Sequence, residues 1–235
     1  MIAPELCGSA ILAYGHVRLL NVPHAKALAD EVITEDCYDL LALSGIWNVL
    51  DVGACYGEFA LFAASRGHSV LAIEPTHESV LVLTANIGLH QMLAGSVDVK
   101  RAFVTSEKTA LLATHSYRRH HPAGSGPECG DGVSEPVVTL QMKEAVRLTA
   151  AMDPDRKLLV KMDCEGAESE IFKDVDSWIS GVDRVAMEFH NHDAHIYSDI
   201  LKARGFSVVA TGGGPKPRPP ADRTIGGGLI IAQRT

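Results

Sequence analysis

The chain has 235 residues, a formal net charge of −8, 46% hydrophobic residues and 21% charged residues. These proportions are typical of a soluble globular protein, and the acidic balance argues against a nucleic-acid partner because affinity for phosphate depends on clusters of Lys and Arg. The five cysteines form no Cys-x-x-Cys pair, so neither a disulfide framework nor a zinc site is indicated, and a cytoplasmic location is expected. We expect no secretory signal and no membrane span, because no basic region precedes an apolar core and no apolar stretch has spanning length.

Residues 1–46 are predicted to form a small N-terminal cap segment. Residues 10–22 are rich in β-forming side chains, with a turn at Tyr14-Gly15. Residues 24–44 carry apolar side chains at helical spacing. The segment is too short to be a domain, so we expect it to pack on the main sheet and cover a ligand cleft.

Residues 47–235 alternate between apolar, strand-like runs and amphipathic, helix-like stretches, which predicts a parallel, doubly wound α/β sheet. The predicted strands are 47–52, 69–74, 97–104, 157–163, 183–190, 206–210 and 227–233, and the predicted helices are 57–66, 77–88, 167–176 and 194–204. The last two strands have no room for a helix between them, so they should pair as an antiparallel hairpin. A mostly parallel seven-stranded sheet with an antiparallel C-terminal strand is the Rossmann-like fold of class I methyltransferases. We predict this fold in a single domain, residues 1–235, with a Rossmann-like core.

The stretch from Asn48 to Gly57 predicts a nucleotide-binding turn, because an apolar strand runs into a glycine turn that a helix follows at once. Gly53 and Gly57 would let the backbone pass close to a ligand, where a Cβ would clash. A dinucleotide fingerprint would need Gly-x-Gly-x-x-Gly, and the middle glycine is missing here.

Two carboxylates at strand ends indicate which ligand this turn binds. Asp51 would repel a pyrophosphate but attract the ammonium and sulfonium groups of S-adenosylmethionine. Glu74, at the tip of the second strand, can accept hydrogen bonds from both ribose hydroxyls of an adenosine. The predicted cofactor-binding residues are Asp51, Gly53, Ala54, Tyr56, Gly57, Glu74, Pro75 and Asp163. The alternative is an ordinary strand–helix turn that Asp51 merely caps.

A second polar cluster follows the fourth and fifth predicted strands. Asp163 ends the fourth strand, while Glu188 and His190 share one face of the fifth. Ligands of open α/β sheets bind at the carboxyl edge, so we predict that these three side chains meet and are catalytic. His190 is the predicted base, because an imidazole with its ordinary pKa of about 6.5 is neutral near pH 7. The alternatives are a structural His190 and acidic side chains that only favour a helix dipole.

Taken together, these motifs resemble the FkbM-type S-adenosylmethionine-dependent methyltransferases, over roughly residues 30–210. The matching stretches are Val49-Leu50-Asp51-Val52-Gly53-Ala54 with Gly57, Ala72-Ile73-Glu74-Pro75 followed by Asn86, Lys161-Met162-Asp163-Cys164-Glu165-Gly166-Ala167-Glu168, and Glu188-Phe189-His190. The resemblance implies S-adenosylmethionine as cofactor, S-adenosylhomocysteine as product, and O-methylation of a hydroxyl or carboxyl group on a small molecule, sugar or natural product. The chain departs from the family at Gln141, where members often have Asp, and in a His-rich insertion.

Three other interpretations stay open. The first is a methyltransferase that uses a divalent cation such as Mg²⁺, held by Asp163, Glu188 and His190, with His192 added if the strand continues. The others are an NAD-type oxidoreductase, which the missing glycine disfavours, and a non-catalytic Rossmann-like binding protein.

Two polar stretches interrupt the alternation, His115–Pro136 and Gly212–Arg223. Insertions of this kind lie on the surface, either as lids over an α/β site or as solvated loops. We predict that the first, with its histidines and arginines, closes over the acceptor.

Overall fold

The computed structural model describes residues 10–106, 112–117, 133–190, 194–212 and 228–235, in which twelve strands and six α-helices are present. The strands are β1 (Ile11–Tyr14), β2 (Val17–Leu20), β3 (Asn48–Val52), β4 (Ser69–Glu74), β5 (Ser96–Arg101), β6 (Phe103–Thr105), β7 (Leu112–Tyr117), β8 (Val133–Gln141), β9 (Leu158–Met162), β10 (Arg184–Phe189), β11 (Phe206–Gly212) and β12 (Gly228–Arg234). The helices are α1 (Ala25–Ala29), α2 (Glu58–Ser65), α3 (His77–Gly88), α4 (Met142–Ala150), α5 (Glu168–Phe172) and α6 (Ala194–Lys202).

The main sheet has seven strands in the order β11-β12-β10-β9-β3-β4-β5. Strands β5, β4, β3, β9 and β10 are mutually parallel, and β12 runs antiparallel to both β10 and β11. This confirms the predicted Rossmann-like α/β fold with an antiparallel C-terminal strand. Because neighbouring parallel strands end at the same edge, the residues after β3, β4, β9 and β10 meet there.

The central strands are buried throughout, and mostly apolar, because helices cover both faces of the sheet. All five residues of β3 and all five of β9 are buried. Successive side chains point to opposite faces, so Leu50 and Val160 enter one hydrophobic cluster, while Val49 and Leu159 enter the other. Burying one such aliphatic side chain contributes about 1.5–3 kcal/mol, so these two layers are what hold the edge residues in register.

The N-terminal segment packs over helix α2. Its hairpin, β1–β2, turns at Gly15 (φ 60°), as the sequence predicts. Leu19 and Tyr38 belong to the same buried cluster as Phe59 of α2. Helix α2 therefore lies between the sheet and this segment, which explains why all but its last residue are buried. The segment is tied to α3 by a hydrogen bond from Leu20 N to Asn86 Oδ1 (2.7 Å).

The stretch 24–44 is less regular than its apolar spacing predicts. Helix α1 is followed by a π-helical turn at Asp30–Thr34 and a 3₁₀ turn at Leu40–Ala42. The Asp36 carboxylate accepts hydrogen bonds from Leu40 N (2.8 Å) and Leu41 N (2.9 Å), so it starts the last turn as a cap.

Two further predictions of local structure differ from the observed elements. The predicted strand 97–104 is divided into β5 and β6, because β6 leaves the main sheet and pairs with β8 in a second sheet. The predicted helix 167–176 ends at Phe172 and continues as 3₁₀ turns, since Trp178 folds back edge-on against the Phe172 ring, with ring centroids 5.5 Å apart. Helix α4 was not predicted as an element.

Parts of the two predicted loops form strand. Residues 115–117 belong to β7, residues 133–136 belong to β8, and Gly212 ends β11. Residues 118–132 and 213–227, which carry the rest of these loops, lie outside the described residues, as does His192. Within the part of the chain that is described, no helix combines the length and the apolar character that a membrane crossing needs.

Candidate functional site

The turn after β3 is built from three residues with left-handed backbone, Gly53 (φ 77°), Cys55 (φ 49°) and Gly57 (φ 90°). Gly53 N and Ala54 N both donate to the carbonyl oxygen of Ile73, at 2.9 and 3.1 Å, which ties the turn to β4.

The glycines of this turn make room for protein atoms. A Cβ at Gly53 would lie 1.7 Å from the carbonyl oxygen of Asp163, and a Cβ at Gly57 would lie 2.2 Å from Leu83 Cδ1. Packing of the chain against itself is therefore enough to require glycine at both positions, and the predicted contact with a ligand stays a prediction.

Glu74 connects the turn to the end of β4. Its Oε2 accepts from Cys55 N (3.0 Å) and its Oε1 accepts from Thr76 N (2.9 Å). Burial raises the pKa of Glu74, although the hydrogen bonds from Thr76 and Cys55 act against this rise. A carboxylate offers about four lone-pair positions, so Glu74 can still accept hydrogen bonds from two ribose hydroxyls.

Asp51 forms a buried ion pair with Lys161, which stands opposite it in the register of β3 and β9. Lys161 Nζ lies 3.1 Å from Asp51 Oδ1 and donates to Gly53 O at 2.9 Å. Burial lowers the pKa of Lys161, but the charges of Asp51 and Asp163 raise it by more, so the ammonium is retained. Asp51 is 0% exposed, and its Oδ2 has no hydrogen-bond donor among the described residues.

Tyr38 reaches this edge from the N-terminal segment, and the sequence analysis missed it. Its hydroxyl donates to Asp163 Oδ2 (3.0 Å), and its ring packs edge-on against Phe59 with centroids 5.4 Å apart. Lys161 Nζ lies 5.2 Å from the centre of the Tyr38 ring. No spacing rule connects Tyr38 with Asp163, because 125 positions separate them.

His190 is surrounded by carboxylates. Its Nδ1 lies 3.3 Å from Glu168 Oε1, and its Nε2 lies 3.6 Å from Glu165 Oε2 and 3.7 Å from Glu188 Oε1. Burial lowers the pKa of His190, but the hydrogen bond to Glu168 and the charges of Glu165 and Asp163 raise it to about 9. A pKa of about 9 favours the imidazolium near pH 7, and an imidazolium has no lone pair with which to accept a proton, so this environment counts against the predicted role of His190 as a base.

Glu168 organises the loop between β9 and α5. Its Oε1 accepts from Cys164 N (3.1 Å) and Gly166 N (3.3 Å) in addition to its contact with His190. The loop needs this support because Glu165 and Gly166 both have positive φ, 54° and 101°. Burial raises the pKa of Glu168, but His190 and the backbone N–H groups of Cys164 and Glu168 together lower it by more, so the carboxylate stays ionised. A favourable interaction with the helix dipole alone would not explain the contact between Glu168 and His190.

Among the described residues, Asp163, Glu165 and His190 each offer an atom within 4.8 Å of the others, a spacing that a metal ion could bridge. The predicted metal set contained Glu188 where this group contains Glu165.

The remaining predicted residues have packing roles in the turn. The Tyr56 side chain is buried with Ala25 and Val82, and its carbonyl accepts from Asn86 Nδ2 (2.8 Å). The Pro75 carbonyl accepts from Arg101 Nε (3.2 Å). Their contact with a cofactor stays a prediction.

Residues 51–208 match the profile of the family described as the Methyltransferase FkbM domain. The chain belongs to this family. The curated methyltransferase sdnD of Sordaria araneosa is 28% identical to this FkbM-domain chain, over 74% of the chain and 76% of the relative.

Solved methyltransferase structures share the fold. Magnesium protoporphyrin IX methyltransferase (ChlM) from Synechocystis PCC 6803, solved with bound S-adenosylmethionine, has a TM-score of 0.50 and 14% identity, covering 88% of this chain and 81% of that one. Trm5 of Methanocaldococcus jannaschii, in complex with adenosine, has a TM-score of 0.55 and 12% identity, covering 96% of this chain and 55% of that one. The FkbM-domain protein is thus an S-adenosylmethionine-dependent methyltransferase with a Rossmann-like fold.

The residues present fit this cofactor. Asp51 is a buried carboxylate whose Oδ2 has no hydrogen-bond donor among the described residues, which suits an ammonium group. Glu74 retains acceptor capacity next to the turn. The two carboxylates are on adjacent strands, β3 and β4. One can therefore face the amino-acid end of the cofactor while the other faces its adenosine end.

Proposed function

We propose that the protein methylates a hydroxyl group of a small molecule that carries no net negative charge. The observation that supports this most is the acidic edge beside the cofactor turn, where Asp163, Glu165 and Glu188 stand near His190. Three carboxylates against one imidazolium leave this edge negative, which disfavours a carboxylate or phosphate acceptor. S-adenosylmethionine, when bound, supplies an electrophilic methyl group.

The protein's part in such a transfer is mainly alignment. Displacement at a methyl carbon requires the acceptor oxygen and the leaving sulfur to lie in line, and positioning of this kind supplies much of the rate enhancement. In the proposal, Asp51 and Glu74 hold the cofactor while the edge formed by β9 and β10 holds the acceptor.

Asp163 is the residue proposed to receive the acceptor's hydroxyl hydrogen. Tyr38 donates to Asp163 Oδ2 (3.0 Å) and so fixes the carboxylate plane, while the other lone pairs can accept from a substrate. His190, as an imidazolium, is reassigned from base to positioning residue, because it holds Glu165, Glu168 and Glu188 together by charge.

Turnover with chemically matched acceptors tests this proposal. Formation of S-adenosylhomocysteine would be measured with a neutral glycoside, with the corresponding uronate, and with bulk tRNA. We expect a higher kcat/KM for the glycoside than for the uronate and no methylation of tRNA. Preferred methylation of the uronate or of tRNA would overturn the proposed acceptor class.

The Asp163→Asn variant tests the assigned role. We expect it to lower kcat by about 10²–10⁴, the range for loss of a general base, while S-adenosylhomocysteine binding changes little. The matched control is Asp199→Asn, because Asp199 is an exposed carboxylate on α6 that pairs with Lys202. A normal kcat in Asp163→Asn would contradict the role.

A metal-assisted form of the same reaction is the second candidate, favoured by the 4.8 Å grouping of Asp163, Glu165 and His190. Loss of activity in EDTA, restored by Mg²⁺, would support it. Unchanged activity in EDTA would leave alignment and Asp163 as the catalytic elements.

A further inference from the structure

Glu58 is a buried acid that the proposed mechanism does not use. It follows Gly57 directly and opens helix α2, and its side chain lies under the cofactor turn with the residue 3% exposed. Its Oε1 is inaccessible to solvent and has no hydrogen-bond partner among the described residues. A buried carboxylate oxygen without a donor is costly, and such groups commonly mark a ligand or functional site.

Two opposite charges act on Glu58 from the strands of the sheet. Lys161 on β9 pairs with Asp51 on β3, so these two charges offset each other. From the turn, Glu58 faces the backbone of Tyr56 and the thiol of Cys55. Burial is the main reason why the pKa of Glu58 rises to about 8. The charge of Lys161 acts against this rise, and the charge of Asp51 adds to it. The cation that favours an ionised Glu58 is Lys161, with which Asp51 already pairs.

A second carboxylate at the same turn is also short of donors. Asp51 Oδ2 is buried with no hydrogen-bond donor among the described residues, while Oδ1 lies 3.1 Å from Lys161 Nζ. Two such carboxylates, one before the turn and one after it, make an acceptor site for a group with several N–H donors and a positive charge. A primary ammonium has three such donors.

We propose that Glu58 is an additional cofactor-binding residue, whose open oxygen receives, together with Asp51, the α-ammonium group of the methionyl part of S-adenosylmethionine. On binding, the O–H bond of Glu58 breaks, its proton passes to the solvent, and the carboxylate pairs with the ammonium. This inference rests on the cofactor of the proposed function and adds a residue and a proton to its binding step.

The inference predicts a specific pH dependence. Below about pH 8 the free protein must lose a proton from Glu58 before the ion pair can form. Affinity for the cofactor should therefore rise with pH, by about tenfold from pH 6.5 to pH 7.5, and level off above about pH 8. The opposite slope would mean that another group controls binding.

Calorimetric titration with S-adenosylhomocysteine tests this directly. Titrations of the wild-type protein near pH 7 in buffers of different ionisation enthalpy should show release of close to one proton. Glu58→Gln keeps an acceptor for the Tyr56 backbone but cannot ionise. It should release no proton, lose the pH slope, and bind S-adenosylhomocysteine about tenfold more weakly.

Two controls separate the possible failures. Deaminated S-adenosylhomocysteine, which lacks only the α-ammonium, should bind wild type and Glu58→Gln equally and without proton release, and this also shows that the variant is folded. Glu144→Gln, at an exposed carboxylate of α4, should behave as wild type. Unchanged proton release in Glu58→Gln, or none in wild type, would overturn the role of Glu58 while leaving the cofactor intact. Failure of wild type to bind either ligand would instead overturn the cofactor assignment, and this inference with it.

Discussion

The carbonyl oxygen of Asp163 lies 1.7 Å from the place that a Cβ would occupy at Gly53. Gly53 thus permits the ends of β3 and β9 to approach each other, and the hydrogen bond from Asp163 N to Val52 O (3.0 Å) holds them there. This contact sets Asp163 beside the cofactor turn, so the packing of β3 against β9 positions the residue proposed to meet the acceptor.

Gly53→Ala should therefore destabilise the protein rather than only weaken cofactor binding. A Cβ at positive φ costs about 1–3 kcal/mol, and overpacking against backbone adds about 1–3 kcal/mol. We expect a loss of about 2–6 kcal/mol in the free energy of unfolding, measured by urea denaturation.

Gly88→Ala is the matched control for Gly53→Ala. Gly88 ends helix α3, and a Cβ there meets nothing within 4 Å. It should be neutral or stabilising by about 0.5–1 kcal/mol. A fully stable Gly53→Ala that cannot bind S-adenosylhomocysteine would show instead that the turn faces the ligand at this position.

Lys161→Met should leave the buried Asp51 carboxylate without its counter-ion. Breaking one side of a buried ion pair costs about 3–5 kcal/mol. The double variant Lys161→Met with Asp51→Asn should recover much of this loss, because no uncompensated charge is left. Chemical denaturation of the two single variants and the double variant measures the coupling. Simply additive effects would mean that the 3.1 Å contact contributes little.

Tyr38→Phe should remove the hydrogen bond to Asp163 while keeping the ring packed on Phe59. We expect a cost of about 0.5–1.5 kcal/mol in stability, together with a lower kcat, because Asp163 is less firmly oriented. Tyr14→Phe, which removes a hydrogen bond to Asp30 in the same N-terminal segment, is the control and should leave kcat unchanged. Equal kcat in both variants would place Tyr38 in a purely structural role.

His190 should make stability depend on pH. Its pKa of about 9 in the folded protein is above the unfolded value of about 6.5. The charged His190 therefore stabilises the folded protein fully below about pH 6.5, and this stabilisation is lost as the pH rises through about 9. Its full contribution to the free energy of unfolding is about 3 kcal/mol. The raised pKa of Glu58 also makes stability decrease as the pH rises from about 4.5 to about 8. The contribution of His190 must therefore be isolated by comparing wild type with His190→Asn.

Urea unfolding at about pH 6.5 and pH 9.5, in a buffer with chelator, provides this comparison. His190→Asn should show a smaller loss of stability between the two pH values than wild type. Equal pH dependence in the two proteins would mean that the surrounding carboxylates do not raise the pKa of His190 as described.

The strands of the main sheet, and the edge of the sheet at which the candidate site lies, could be predicted from the sequence. Apolar runs such as Val49 to Val52 identify strands buried on both faces, and the absence of a helix after the sixth strand identifies the antiparallel end. Asp51, Glu74 and Asp163 could be placed at the carboxyl edge because parallel strands end together. These properties depend on local composition and on chain order, which can be read without coordinates.

The tertiary structure alone decided the state of the side chains at that edge. The pairs Asp51–Lys161 and Tyr38–Asp163 join residues more than a hundred positions apart, and the pKa of His190 depends on Glu165 and Glu168 across a loop. Gly53 could be recognised as a turn residue, but the Asp163 carbonyl that requires it lies on another strand. Protonation and hydrogen bonding depend on distances of a few ångströms between separate elements, and those distances exist only after the elements pack.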